Sequence, residues 1–429
     1  MTKIAITQLG LCTPLGQTKE TVLAHLLNGK SGLKPQSGLL FDRSAMVGKV
    51  TCVLPTIPTP LSDYNTRNNQ ILLCAAKQIE SAVHLAKKHY GQDRVGVVLG
   101  TSTSGIESGE QALKFYQKQH AFPENYDYAL QELGNTSEFL QAYFSLTGPC
   151  YTLSTACSSS AKVFASARRL LMADLCDMVI VGGSDSLCQL TLNGFDALES
   201  ISDKLCQPFS ANRQGINIGE GAALFTLEKN TSVHSSGAQI QLAGVGESSD
   251  AHHISAPQPE GRGAIAAMQA AIKDANIQAS QISYVNLHGT ATQKNDAMES
   301  RAIQAVFQPV IPPVSSTKPL TGHTLGAAGA IEAAFCYLLL SDENSHAQLP
   351  PHLWDKHIDS DNPALPFVER NELTHHKQKL RYIMSNSFAF GGSNASLIFS
   401  REDDNAGEKN AGEDSARKDN ARKKRTNHD

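Results

Sequence analysis

Residues 152–162 read TLSTACSSSAK: one cysteine among hydroxyl and small side chains, with a periodic apolar segment directly behind it. Val163, Phe164, Ala167, Leu170 and Leu171 recur at the spacing of one helix face, which predicts a helix over residues 158–173. Cys157 then stands at or just before a helix N-terminus, where unpaired N–H groups and aligned peptide dipoles favour an anion. The segment alone leaves two readings open. One is a thiol shifted toward its nucleophilic thiolate; the other is a small buried cysteine beside Ser and Thr capping residues.

Outward from this turn, strands alternate with helices. KIAIT, RVGVVLG, DMVIVGG, AALFTLE, QIQLAGVG, SYVNLHG, YIMSNS and NASLIFS read as strands, and residues 69–88, 158–173, 263–275, 296–306 and 325–340 as helices. The alternation predicts an α/β protein whose sheets are largely covered by helices. KIAITQLGLCTPLG and QIQLAGVGESSDAH both read as a strand entering a glycine turn, a trace of duplication. At 429 residues the chain exceeds one small core, so it makes two domains or one large fold of two similar halves.

The balance of charge, −4, argues against nucleic acid or an anionic membrane as the main partner. Nine cysteines, an odd number without a C-x-x-C pair, read mostly as buried thiols of a reducing, cytoplasmic compartment. The start reads as a first strand rather than a leader, and the longest apolar run, LGAAGAIEAAFCYLLL, contains Glu332 and is too short to span a bilayer. Residues 401–429 are highly charged, with alanine their only apolar residue, and are expected to form a disordered tail.

Three further motifs carry chemistry. In YVNLHGTATQKNDAMES a strand ends at His288, before a glycine turn and a helix in which Asp296 and Glu299 would also suit the first turns. SSTKPLTGHTLGAAGAIEAAF sets Lys318 and His323 on a loop feeding a helix of small residues. SNSFAFGGSNASLIF reads as two strands joined by a glycine turn, either a plain hairpin with core aromatics or a backbone N–H aimed at a reacting centre. His252, His253, His288 and His323 lack the helical i, i+4 or Cys/His spacing of a zinc site, so no metal is expected.

Together TACSSS at Cys157, HGTATQKND at His288, KPLTGHTLGAAGA with Lys318 and His323, and NSFAFGGSN with Phe390 resemble the β-ketoacyl-acyl-carrier-protein synthases of the elongating Cys-His-His type, from residue 1 to about 400. The resemblance implies a thiolase-like fold: two similar halves in an α-β-α-β-α layered arrangement, residues 1–235 carrying the nucleophile and 236–400 the two histidines. It implies a decarboxylating Claisen condensation without metal or redox cofactor, on substrates carried by the phosphopantetheine of acyl carrier protein. Cys157, His288, His323 and Lys318 would be catalytic, Glu299 and Asp296 supporting. Phe388, Phe390, Gly391 and Gly392 would form the oxyanion hole and gating loop, and Thr103 would line the acyl pocket.

INIGEGAALFTLEK, VSSTKPLTGHTLGAAGAIEAAFCYLLL and LPPHLW are most similar to the synthases of aryl-polyene clusters, which implies a homodimer or a heterodimer with a chain-length-factor-like homologue. General type II fatty acid synthesis and a non-catalytic partner subunit are the alternatives. The chain departs from the family at Ala389, where many members carry glycine in the gating turn. It departs again at Gln207-Pro208-Phe209-Ser210, where the family's arginine commonly meets the carrier protein.

Overall fold

A computed structural model describes residues 4–229, 239–370 and 380–402. Ten strands form one mixed sheet: β1 (Ile4–Cys12), β2 (Val95–Gly100), β3 (Cys150–Leu153), β4 (Met178–Asp185), β5 (Gly221–Lys229), β6 (Gln239–Ser249), β7 (Tyr284–Asn286), β8 (Val314–Ser315), β9 (Tyr382–Phe388) and β10 (Ser393–Glu402). Their spatial order is β8-β7-β9-β10-β6-β1-β5-β4-β2-β3.

That order contains the same course twice. Numbered within its own half, each set of five runs third, second, fourth, fifth, first. The second, third and fourth strands pair in parallel and the fifth is antiparallel to both neighbours. The two strands of the suspected sequence repeat, β1 and β6, hold equivalent places. They pair with each other at Ile4–Leu242 and Ala5–Gln241, joining the half-sheets.

Both faces of the sheet are buried, so its strands are apolar runs rather than alternating ones. Along β5, Ala223, Phe225 and Leu227 face the centre of the molecule while Ala222 and Leu224 face outward. The outward side is covered by α1 (Arg67–Tyr90) and α2 (Asn135–Phe144). In the centre lie α3 (Ser159–Met172) and, toward the C-terminal end, α6 (Ala328–Leu340), packed on Val98, Val181 and Phe225 of one half-sheet and Leu397 and Phe399 of the other. The far side is covered by α4 (Arg262–Asp274) and α5 (Gln293–Phe307). These are the five layers the resemblance implied.

The central helices touch closely. A Cβ on Gly329 of α6 would lie 2.7 Å from Ala161 N of α3, and Ser160 Oγ accepts the Ala330 N–H at 2.9 Å. Small residues there set two helix N-termini side by side. The edge strands β3 and β8 were not foreseen, nor were α2 and the helices Lys19–Leu27, Ile106–Gln119 and Gln189–Ala197. Strand β10 runs to Glu402, and the rest of the expected tail lies outside the described residues. Among the described residues no helix is long and apolar enough to cross a membrane.

Candidate active site

Cys157 follows β3 in a turn entered through Ala156 at φ 51° and closed by hydroxyls. Ser158 Oγ donates to Thr155 O at 2.9 Å, Ser159 Oγ donates to Ala156 O, and Ser159 Oγ accepts the Thr155 N–H at 2.8 Å. The serines therefore satisfy backbone groups at the helix entrance, leaving the thiol free to face a cavity of about 490 Å³. His288, His323, Phe388, Ala389 and Phe390 line the same cavity.

His323 Nε2 lies 3.0 Å from Cys157 Sγ. The Leu325 N–H donates to His323 Nδ1 at 3.2 Å, so Nδ1 is the lone-pair nitrogen and the neutral ring carries its proton on Nε2, toward the sulfur. The His288 ring stands nearly perpendicular to that of His323, with centroids 5.4 Å apart, and its Nδ1 is buried without a partner. Burial and then the nearby Lys318 ammonium drive both imidazoles well below the usual histidine range, so both stay neutral.

Lys318 reaches the site from behind. Its Nζ donates to His288 O at 2.7 Å and forms a buried ion pair with Glu332 of α6. Glu299 accepts the N–H groups of His288 at 2.9 Å and Gly289 at 2.8 Å, while Asp296 accepts those of Phe209 at 2.7 Å, Thr290 at 3.1 Å and Ala291 at 3.2 Å. The two acids thus hold the backbone of the histidine loop. Burial pushes Glu299 up to about 8 and Asp296 up to about 6, against the pull of those N–H donors.

Burial decides between the two readings of Cys157. Burial pushes the Cys157 thiol up to about 11, outweighing the opposing influence of Lys318 and of the Phe390 and Cys157 N–H groups. The resting sulfur is a thiol, because loss of water costs the thiolate more than its helix terminus returns.

In the glycine turn, Gly391 and Gly392 have φ of 82° and 76°, conformations that need glycine, and Gly391 N–H donates to Ile254 O at 2.7 Å. Ala389 sits at φ −96°, ψ 153°, which any residue adopts, so the departure costs no strain in this conformation. The Phe390 ring rests 5.7 Å from that of Phe195 at the cavity mouth, and Phe388 stands 6.2 Å from His288.

Thr103 lies apart from the cavity lining. Its hydroxyl and N–H both donate to Asp185 at 2.8 Å. Asp185 was not foreseen. This buried carboxylate also accepts from Thr101 Oγ1 at 2.6 Å, Ser102 N at 2.8 Å and Ala327 N at 3.0 Å, tying the loop after β2 to the entrance of α6. Glu332 was noted only as interrupting an apolar run; a lone acid on an otherwise buried helix was the available signal. Gln207 accepts the Asp355 N–H at 3.1 Å, and Ser210 donates to the same aspartate at 2.7 Å.

Cys157, His288 and His323 place three donor atoms within 4.8 Å of one another, which also satisfies the spacing of a metal site. The Lys318 ammonium, whose field already disfavours a proton on either imidazole, disfavours a divalent cation there as well.

Residues 1–232 match the family model described as beta-ketoacyl synthase, N-terminal domain, and residues 240–353 that of the C-terminal domain. A mitochondrial 3-oxoacyl-acyl-carrier-protein synthase of Arabidopsis thaliana is 31% identical, covering 93% of each chain. The 3-oxoacyl-acyl-carrier-protein synthase 2 of Coxiella burnetii is 31% identical over 94% of this chain and 99% of its own. Among solved structures, a ketosynthase from Xenorhabdus doucetiae in complex with its chain length factor is 44% identical, covers 94% of this chain and 98% of its own, and superposes with a TM-score of 0.85.

Proposed function

The chain belongs to the β-ketoacyl synthase family, an acyltransferase family of condensing enzymes, and on that premise we propose how its buried thiol and two histidines extend an acyl chain. Cys157 attacks an acyl thioester on the phosphopantetheine of acyl carrier protein. A C–S bond forms to Cys157, the bond to the carrier sulfur breaks, and the thiol proton ends on the departing carrier thiolate. The oxyanion of this step lies at the N–H groups of Cys157 and Phe390; such donors are worth about 3–4 kcal/mol each where removed elsewhere. That Phe390 and Cys157 line one cavity supports the assignment.

Malonyl carrier protein binds next and loses CO₂. The enolate oxygen is met by neutral N–H donors of His323 and His288, and the enolate carbon attacks the acyl-cysteine carbonyl. Cys157 leaves as a thiolate and takes up one proton from solvent, and the product is a β-ketoacyl carrier protein two carbons longer. The observation that carries this reading is His323 Nε2–H aimed at Cys157 Sγ over 3.0 Å, its tautomer fixed by Leu325 N–H. Lys318, Glu299 and Asp296 act as positioning groups for the histidine loop, and Gly391 and Gly392 let the Phe390 loop hinge over the second substrate.

In this reading residues 1–235 supply the nucleophile and 236–400 the donors; no redox or metal cofactor takes part, and the setting is the reducing cytoplasm. We assign the chain to the aryl-polyene branch, supported by the similarity to a ketosynthase solved with its chain length factor. A dimer face fits the edge strand β3, half exposed throughout, and the exposed Phe115, Tyr116, Phe122 and Tyr128. Incubation with acyl carrier protein followed by intact-mass analysis tests the proposal. An acyl adduct is expected on the native chain, and its persistence in Cys157→Ala would overturn the nucleophile.

A further inference from the structure

Three cysteines outside the condensation site converge from separate elements. Cys12 closes β1, Cys52 lies in the loop beyond the short hairpin Leu33–Gln36 with Ala45–Gly48, and Cys74 projects from α1. Cys12 and Cys52 sulfurs are 3.7 Å apart, and all three lie within 4.8 Å of one another. Cys12 is buried, whereas Cys52 and Cys74 retain partial access to solvent. None lines the catalytic cavity.

Thiolates on a tetrahedral zinc ion with Zn–S near 2.3 Å stand about 3.8 Å from each other. The Cys12–Cys52 pair already has that separation, and the third sulfur needs to close by about 1 Å at most. Gln17 Oε1 lies 3.4 Å from Cys74 Sγ, a neutral oxygen beside the cluster. A disulfide would use two sulfurs and leave the third without purpose.

We propose that Cys12, Cys52 and Cys74 form a thiolate site for a thiophilic divalent cation, zinc(II), with the Gln17 amide oxygen or a water in the fourth position. Binding converts three thiols to thiolates and releases their protons to solvent. The ion would clamp the loop at residues 50–52 to β1 and α1. That loop already meets the chain leading into β5, since Val50 N–H donates to Glu220 Oε1 at 3.0 Å and Arg67 pairs with the same carboxylate.

The test uses the reduced full chain carrying Cys157→Ala, which removes the sulfur from the other three-donor set. Cobalt(II) titration should give a thiolate-to-metal charge-transfer band saturating at about one equivalent, as a single closed site requires, and zinc affinity should follow from competition with a chromophoric chelator. Cys52→Ser and Cys74→Ser, at half-exposed positions, should each weaken zinc binding by more than the about 10–100-fold that loss of a mere outer partner costs. With Cys157 intact, the same two serine variants should condense substrate at the native rate, which separates this site from the proposed mechanism. Absence of the charge-transfer band, affinity unchanged in both serine variants, or a Cys12–Cys52 disulfide as the sole state of the cluster would overturn the assignment.

Discussion

The two halves of the molecule enter their central helices through the same turn and use it differently. Three residues before each helix a non-glycine residue takes positive φ, Ala156 ahead of α3 and Leu325 ahead of α6, both at 51°. The next residue is Cys157 in the first half and Gly326 in the second. Packing decides the difference: a Cβ on Gly326 would stand 2.6 Å from the Thr101 carbonyl carbon and 2.7 Å from Ser102 N. The two halves thus carry turns of one shape, and the loop after β2 fills the second. What the second half keeps is the apparatus around it, His288, His323 and the Lys318–Glu332 pair.

The largest effect is expected from erasing the side chain that distinguishes the turns. Cys157→Ala should lower kcat by on the order of 10⁵-fold or more, as removal of nucleophiles does elsewhere, measured as β-ketoacyl carrier protein formed. Next comes the donor from the second half. His323→Ala should cost roughly 10²–10³-fold in decarboxylation while an acyl adduct still forms on Cys157, and equal loss of both steps would break the division of labour.

Making the turns alike should fail. Gly326→Cys should destabilise the fold by roughly 1–3 kcal/mol through overpacking, read from the denaturant midpoint. In a Cys157→Ala background it should take up no acyl group.

A comparable effect follows from the carboxylates that hold the two loops, Asp185 in one half and Glu299 in the other. Glu299→Gln sets an amide donor against a backbone N–H, an expected cost of about 1–3 kcal/mol. Glu299 keeps its proton in the native state to about pH 8, whereas an ordinary glutamate releases it near 4.5. Between those values the native state holds more protons than the unfolded chain, so stability falls as pH rises, and Glu299→Gln should flatten that slope. The smallest effect is expected at Ala389→Gly, a loss of about 0.4–1 kcal/mol from added freedom of the unfolded chain, with a change in the KM for malonyl carrier protein as the readout of loop hinging.

Long strands and helices were legible in the sequence because each carries its own period, as α3 and β5 do. The edge strands β3 and β8 were not, since four and two residues give no pattern. The site motifs were legible as a set because each sits at the end of an element with unusual composition. Asp185 and Glu332 were missed for a different reason: Asp185 looks like an ordinary strand residue, Glu332 shows only as the lone acid of an apolar helix, and tertiary contact alone gives them partners 82–142 and 14 residues away. The Cys12–Cys52–Cys74 cluster is still less local, assembled across β1, a loop and α1. The resting state of Cys157 stayed open because a helix terminus can be read from sequence, whereas the depth of burial opposing it cannot.

The half-sheets are joined edge to edge by two residue pairs, and both histidines beside the Cys157 sulfur come from the half that lacks it. During synthesis the first half emerges and can fold before the second exists. Its cysteine then lacks the two histidines and the Phe390 loop on which the proposed mechanism depends. On that mechanism chemical competence arrives with the last docking event, and a nascent or truncated chain cannot extend an acyl group.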